Sequence, residues 1–227
     1  MVRVLIVDDD PWLRAGRRAV LEEAAGVIVV DAVDHHVAAD RTDWDDVDVV
    51  VLDAHDPRAE FDHFAGVVVA ERVRRASASI RIVVLSGHAY NDVLRLRMAE
   101  AGADEFHAHR DVDTAEELVR IVTEPALDTD APEDARRIAR DRLGVAAGAS
   151  VNDGVRWARE HLAPDALGPD GAPRMSRRRT ITARSKLSEL MGLRATPTSA
   201  ARRTTPTWRE VSSFLDRARG RERRSAD

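Results

Sequence analysis

The sequence predicts an α/β fold, a doubly wound five-stranded parallel sheet, followed by a small all-α C-terminal domain. Three observations predict it. Short apolar runs alternate five times with helical segments over the first half of the chain, which calls for a parallel sheet with helices on both faces. The runs, above all Val49-Val50-Val51-Leu52, lack the in–out alternation of a one-sided sheet and read as strands buried on both faces. Beyond residue 133 the strand pattern stops and helical periodicity alone continues.

Val2 to Val7 read as the first buried strand. Pro11 suits a helix start, where its missing N–H costs nothing, and a helix over 12–24 carries Leu13, Val20 and Leu21 on one face. Gly26 precedes a second strand, Val27 to Val30. Residues 35–46 are polar, with a weak helix at best. The central strand, 48–52, ends in Asp53, and Pro57 turns the chain away. A helix is expected over 65–76. Ile80 to Leu85 form the fourth strand, ended by Ser86 and Gly87. A helix with Val93, Leu94, Leu96 and Met98 closes at Gly102, and Glu105 to Ala108 form a short fifth strand. A helix over 114–123, with Leu118, Ile121 and Val122, completes a domain of residues 1–123. Residues 124–132, with Pro125, Pro132 and acids, read as a linker to a helical domain, 133–227.

That second domain has four expected helices. The first, 133–143, places Ala135, Ile138, Ala139 and Leu143 on one face. The second, 151–162, spaces Val151, Val155, Ala158 and Leu162 helically. After a Gly/Pro-rich loop, 163–175, a third helix runs over 177–191. It starts near Ser176, stops at Gly192, and has Ala183, Leu187, Leu190 and Met191 as its apolar face. The fourth opens on the capping-box pattern Thr207-Trp208-Arg209-Glu210 and turns Trp208, Val211, Phe214 and Leu215 inward.

Composition narrows the function classes. The 227 residues contain no cysteine, which excludes a disulfide framework, thiol catalysis and a Cys-based zinc site. No apolar run approaches a membrane span and no signal peptide is evident, so the expectation is a cytoplasmic protein with no membrane partner. The net charge of −5 hides an asymmetry. Residues 1–120 hold 14 basic against 25 acidic side chains, and residues 171–227 hold 15 against 5. An acidic front and a basic tail imply two modules with different partners.

The acidic front carries the chemistry. Open α/β sheets bind ligands at the carboxyl ends of their strands. Asp8, Asp9 and Asp10 end the first strand, Asp53 the third and Ser86 the fourth. If the strand order is flavodoxin-like, 2-1-3-4-5, the first and fourth strands both flank the third, and these side chains converge. Clustered carboxylates repel unless a cation intervenes, and Mg²⁺ is a hard ion suited to carboxylates, water and phosphate oxygens. Asp9 and Asp53 are the expected direct ligands, with Asp8 acting through water and the His55 backbone carbonyl adding an oxygen. Asp53 could then attack a phosphoryl donor to form an aspartyl phosphate, and Ser86 could hydrogen-bond the product.

LIVDDDPWLRAG, VVVLDAHDP, VVLSGHA and AGADEFHAH, in that order, resemble the receiver domains of bacterial two-component response regulators. The resemblance covers roughly residues 1–123. It implies Asp53 as phosphoacceptor, Asp8 and Asp9 as the acid pair, Ser86 as the hydroxyl and Phe106 as the aromatic switch residue. It also implies a sensor histidine kinase as partner, and dimerisation or domain packing as the response. Two departures stand out. The family's lysine, three residues beyond the aromatic, is His109 here, followed by Arg110, and a neutral imidazole does not replace an ammonium. The segment from Asp53 to Ser86 is also long for the family.

The basic tail suggests DNA. Arg177, Arg178, Arg179, Arg184 and Lys186 surround the start of the third C-terminal helix, and a helix N-terminus with arginines can hold phosphates and reach base edges. SRRRTITARSKLSELMGL, 176–193, resembles the recognition helix of LuxR/NarL-type regulators, although a long loop replaces the short turn of a helix-turn-helix. The reading is a DNA-binding transcriptional response regulator that is not an enzyme and acts as a homodimer. One alternative is a pseudo-receiver signalling through protein contacts without phosphate. Another is a haloacid dehalogenase-like phosphatase built on Asp8 and Asp10, which lacks the lysine such enzymes need before Lys186. His107 and His109, spaced to share a strand face, are a further candidate pair for a transition metal.

Overall fold

The computed structural model describes residues 1–88, 91–124, 133–162, 174, 176–194 and 205–221. They fall into two compact units, residues 1–59 with 64–133, and 134–227 with 60–63. The expected linker lies, beyond Glu124, outside the described residues, as does all of the 163–175 loop except Arg174.

In the first unit, five strands alternate with five helices: β1 (Val2–Val7), α1 (Pro11–Glu23), β2 (Val27–Val33), α2 (His35–Asp40), β3 (Val49–Asp53), α3 (Ala65–Ala76), β4 (Arg81–Ser86), α4 (Asp92–Glu100), β5 (Glu105–Ala108) and α5 (Ala115–Thr123). All pairings are parallel and the strand order is β2-β1-β3-β4-β5. This is the flavodoxin-like order expected from the sequence. The side chains of β3 are buried on both faces because helices cover both. Val4, Ile6, Val49, Val51, Val83 and Leu85 pack with Leu21 of α1 and Leu118, Ile121 and Val122 of α5. Each such side chain contributes about 1.5–3 kcal/mol through burial.

Local chemistry sets the element ends. Asp10 caps α1, its carboxylate accepting the N–H of Trp12 and Leu13 at 2.7 and 3.2 Å. Asp34 caps the short α2, whose polar sequence gives only a weak helical signal. Gly102, at φ 89°, makes the left-handed turn that closes α4. Leu13 departs from expectation: it is 47% exposed. It lies in the first turn of α1 and lines an open cavity with Leu85 of β4 and Leu118 of α5 instead of packing fully into the core.

The second unit holds α6 (Glu133–Leu143), α7 (Val151–His161), α8 (Arg177–Met191) and α9 (Trp208–Ala218). Val151, Val155, Ala158 and Leu162 are all buried, as their spacing predicts. The Gly192 backbone, at φ 54°, ends α8 in the left-handed region. The capping box at Thr207 and Glu210 forms at the start of α9. Ile138 and Leu190, expected on apolar faces, are 48% and 39% exposed. Each sits at the flank of its stripe, and Thr180 takes a buried place on α8 instead. Trp208 is half-buried. Gly154 lets α7 approach α8, since a Cβ there would collide with the Met191 sulfur.

A second close approach bears on the acidic end of the sheet. A Cβ on Gly66, in the first turn of α3, would lie 2.6 Å from the Asp53 carbonyl oxygen and 2.8 Å from the Ala54 Cα. Both are backbone atoms, so the collision cannot be relieved by a rotamer change. Gly66→Ala should therefore cost about 1–3 kcal/mol, as overpacking does, despite alanine's better helix propensity. Urea unfolding of the full chain reads this directly, and a midpoint equal to or above wild type would show that α3 can shift.

Candidate functional site

Register brings the site together. Val7, the last residue of β1, pairs with Leu52, so Asp8 and Asp9 follow alongside Asp53. Asp53 pairs with Leu85, which places Ser86 one residue further along β4. Ser86 in turn pairs with Ala108, so His109 stands just past the end of β5. Carboxylate oxygens of Asp8, Asp9 and Asp53 lie within 4.8 Å of one another. Asp8 and Asp53 are buried, at 1% and 8% exposure.

The cluster is densely hydrogen-bonded. Asp8 Oδ1 accepts the Asp10 N–H at 2.8 Å, and its Oδ2 is paired with Arg17 Nη1. Arg17 Nη2 donates to His109 Nε2 at 2.9 Å. Arg14 Nη1 donates to the Asp8 backbone carbonyl at 2.6 Å. Arg58 Nη2 lies 3.7 Å from Asp9 Oδ2 and donates to the Asp9 carbonyl at 3.2 Å. From α2, His35 Nε2 meets the Asp53 backbone carbonyl at 2.7 Å; a carbonyl only accepts, so this nitrogen carries the proton. Ser86 Oγ is buried and accepts the His88 N–H at 3.0 Å. The His55 and His88 rings lie 4.3 Å apart between centroids.

Arg17, Arg58 and His35 are absent from the sequence reading. Arg17 had a signal: it falls on the same stripe of α1 as Leu13, Val20 and Leu21, and a charge in an inward stripe needs a buried partner. His109 also differs from expectation. It opens a 3₁₀ turn, His109–Asp111, rather than sharing a strand face with His107. His107 Nε2 lies 3.0 Å from Glu105 Oε2. Phe106 is half-buried with the Arg95 guanidinium 5.3 Å from its ring centroid.

On α8, Arg177, Arg178 and Arg179 are exposed. Arg184 is half-buried with its Nε covered, and Lys186 is paired with Glu189 at 3.1 Å. No helix among the described residues is long and apolar enough to cross a membrane.

Burial and the neighbouring Asp8 charge push the Asp53 carboxyl up to about 8, against the pull of Arg17. Asp9 is raised as well, by burial and by Asp56. His109 is lowered by burial and by Arg17. The cluster thus resists holding all three of its carboxylates ionised at once. Its hard oxygen donors fit a divalent cation such as Mg²⁺. Without metal, folded Asp53 retains a proton that the unfolded chain releases near 3.8. Stability in chelator should therefore fall as pH rises from about 4 to about 8. Asp53→Asn should flatten that slope and raise the denaturation midpoint at pH 8. An unchanged slope in the variant would show that Asp53 is ionised in the metal-free fold.

Residues 4–121 match the response regulator receiver domain family. Response regulator UvrY of Escherichia coli (strain K12) is 32% identical over 106 residues, covering 45% of each protein. The nitrate/nitrite response regulator protein NarP of the same strain is 32% identical over 106 residues, 46% of each. The chain thus spans about half the length of these relatives. A LuxR-family two-component response regulator from Aurantimonas sp. SI85-9A1 matches at 27% identity and TM-score 0.46, over 63% of this chain and 99% of that one. The NarL receiver domain from Mycobacterium tuberculosis matches at 27% and 0.45, over 53% and 92%. The family match spans more than half of the chain, and the chain belongs to the response regulator receiver domain family.

Proposed function

We propose that this chain is a phosphorylation-controlled response regulator in which Asp53 accepts a phosphoryl group from a sensor histidine kinase and the helical unit binds DNA. The observation that carries it is the meeting of Asp8, Asp9 and Asp53 within 4.8 Å at the carboxyl edge of a parallel sheet. Asp9, Asp53 and the His55 carbonyl would hold Mg²⁺ directly. Asp8, with both oxygens already engaged, would act through water. Bound metal supplies charge neutralisation, which keeps Asp53 ionised and nucleophilic. Ser86, now accepting from its own loop, would turn its hydroxyl to a phosphoryl oxygen. That turn draws the loop after β4 inward, and Phe106 would repack beside it.

DNA binding rests on the +10 balance of residues 171–227 and on the exposed arginines of α8. Arg177, Arg178 and Arg179 occupy the first turn, where backbone N–H groups and guanidinium groups both favour phosphate. Arg184 and Lys186 suit base reading less well, the one half-buried and the other paired. Homodimerisation on phosphorylation would couple the two activities by placing two helical units on one duplex. A phosphate-independent pseudo-receiver is the second reading, favoured by the absence of a permanent charge at His109.

Two measurements test this function. Mg²⁺ should raise the melting temperature of the full chain by mass action, and Asp9→Ala should abolish the rise; a rise that persists would remove Asp9 from the metal site. Duplex DNA should bind the full chain with an affinity that falls steeply with salt. Replacing Arg177, Arg178 and Arg179 together by Ala should weaken binding to all sequences and flatten the salt slope. A folded chain that does not bind DNA at about 50 mM salt, a condition favourable to binding, would leave a protein partner as the output.

A further inference from the structure

The cation of this cleft does not come from the end of β5. Arg17 is a donor only, so His109 Nε2, 2.9 Å from Arg17 Nη2, must accept. The imidazole is then neutral with its proton on Nδ1, consistent with its hydrogen bond to the Leu85 carbonyl. The 3.9 Å approach of the same Nε2 to Asp53 Oδ1 is therefore not an ion pair. The charge arrives from α1 instead. The Arg17 side chain is 10% exposed and spans from Asp8 to His109, whose Nε2 also lies 3.9 Å from Asp53 Oδ1, and its charge acts on the Asp53 carboxyl. Arg14 and Arg58 also reach the cluster, but Arg14 serves the Asp8 backbone carbonyl and the Arg58 side chain is 61% exposed over Asp9 and Asp56.

We infer that Arg17 is the resident cation of the phosphoryl pocket and that His109 is the positioning residue that holds it there. The inference rests on reading Asp53 as the phosphoacceptor. In transfer from phosphoramidate, an Asp53 carboxylate oxygen forms the new bond to phosphorus. The phosphorus–nitrogen bond of the N-protonated donor breaks, and neutral ammonia leaves with the electron pair. Negative charge spreads over the three equatorial oxygens in passing. A guanidinium already fixed beside Asp53 meets that charge without reorganisation, in a site shielded from water. Its planar fork also matches phosphate oxygens, as an imidazole does not. His109 contributes by accepting from Nη2, which keeps the guanidinium extended towards β5 rather than folded back along α1.

The test uses the full chain, phosphoramidate and Mg²⁺, with acyl phosphate measured by intact mass. Wild type should label, and Asp53→Asn should not. Arg17→Met should slow labelling by about 10²-fold, the cost of losing one fixed electrostatic partner. The double variant Arg17→Met/His109→Lys should recover most of the rate, because it returns a cation to the cleft from the β5 side. His109→Gln, whose carbonyl oxygen can still accept from Arg17, should outpace His109→Leu. Labelling of Arg17→Met at the wild-type rate, or a loss that the double variant fails to recover, would overturn the inference. Label surviving in Asp53→Asn overturns the phosphoacceptor reading instead. If wild type takes no label, that reading fails by itself, and Mg²⁺ titration followed by melting temperature decides on the cation. Arg17→Met should then bind Mg²⁺ on the order of tenfold more tightly, since a fixed opposing charge is gone; equal affinity would refute a resident cation.

Discussion

The first unit is governed by an electrostatic constraint: three carboxylates converge at the edge of an apolar sheet. Asp8 and Asp53 are almost fully buried and Asp9 is close by. Such a cluster is unfavourable unless charge is removed by protonation, by metal or by fixed cations. The molecule uses the first and third of these without any ion. Asp53 is pushed towards its neutral form, and Arg17 and Arg58 approach Asp8 and Asp9. Under the proposed function a divalent cation would complete the neutralisation, and a phosphoryl group would then add charge back.

Much of the surrounding framework follows from that balance. Asp10 serves as the α1 cap and its N–H holds Asp8 Oδ1, so the helix start and the acid pair are one local structure. The same helix delivers Arg14 to the Asp8 carbonyl and Arg17 to its carboxylate. On the other side of β3, His35 holds the Asp53 carbonyl and Gly66 lets α3 press on that same carbonyl. The end of the central strand is therefore fixed through its backbone carbonyl and not through the Asp53 side chain. Preorganisation of this kind is what electrostatic catalysis requires.

The helical unit follows a different logic. Its stability rests on small-residue approaches, Gly154 against Met191 and Gly192 against Ala146, together with a formed capping box on α9. Positive charge clusters at the exposed first turn of α8, at Arg177, Arg178 and Arg179. Clustered like charges on one helix start raise the affinity for polyanions while costing the isolated fold little, because solvent screens them.

The first four strands were legible in the sequence because each is largely an apolar run, as a sheet covered on both faces favours, whereas β5, Glu-Phe-His-Ala, was placed by the alternation of strands and helices. Asp8, Asp9, Asp53 and Ser86 were legible because strand ends in an open parallel sheet are ligand positions whatever the side-chain detail. The bounds of α3, α7 and α8 followed from periodicity and from the end residues Ser176 and Gly192. Leu13, Ile138 and Leu190 were misplaced because periodicity gives a direction around a helix, not the extent of the surface it meets. Arg17 shows the deeper limit. Its position on the inward stripe is written in the sequence, but its partners lie 9 residues away on a strand end and 92 away on a turn. Short-range pattern determined which residues form the edge of the sheet. Only the tertiary structure decided where its positive charge comes from, because a charge pair is set by distance in space and not by order along the chain.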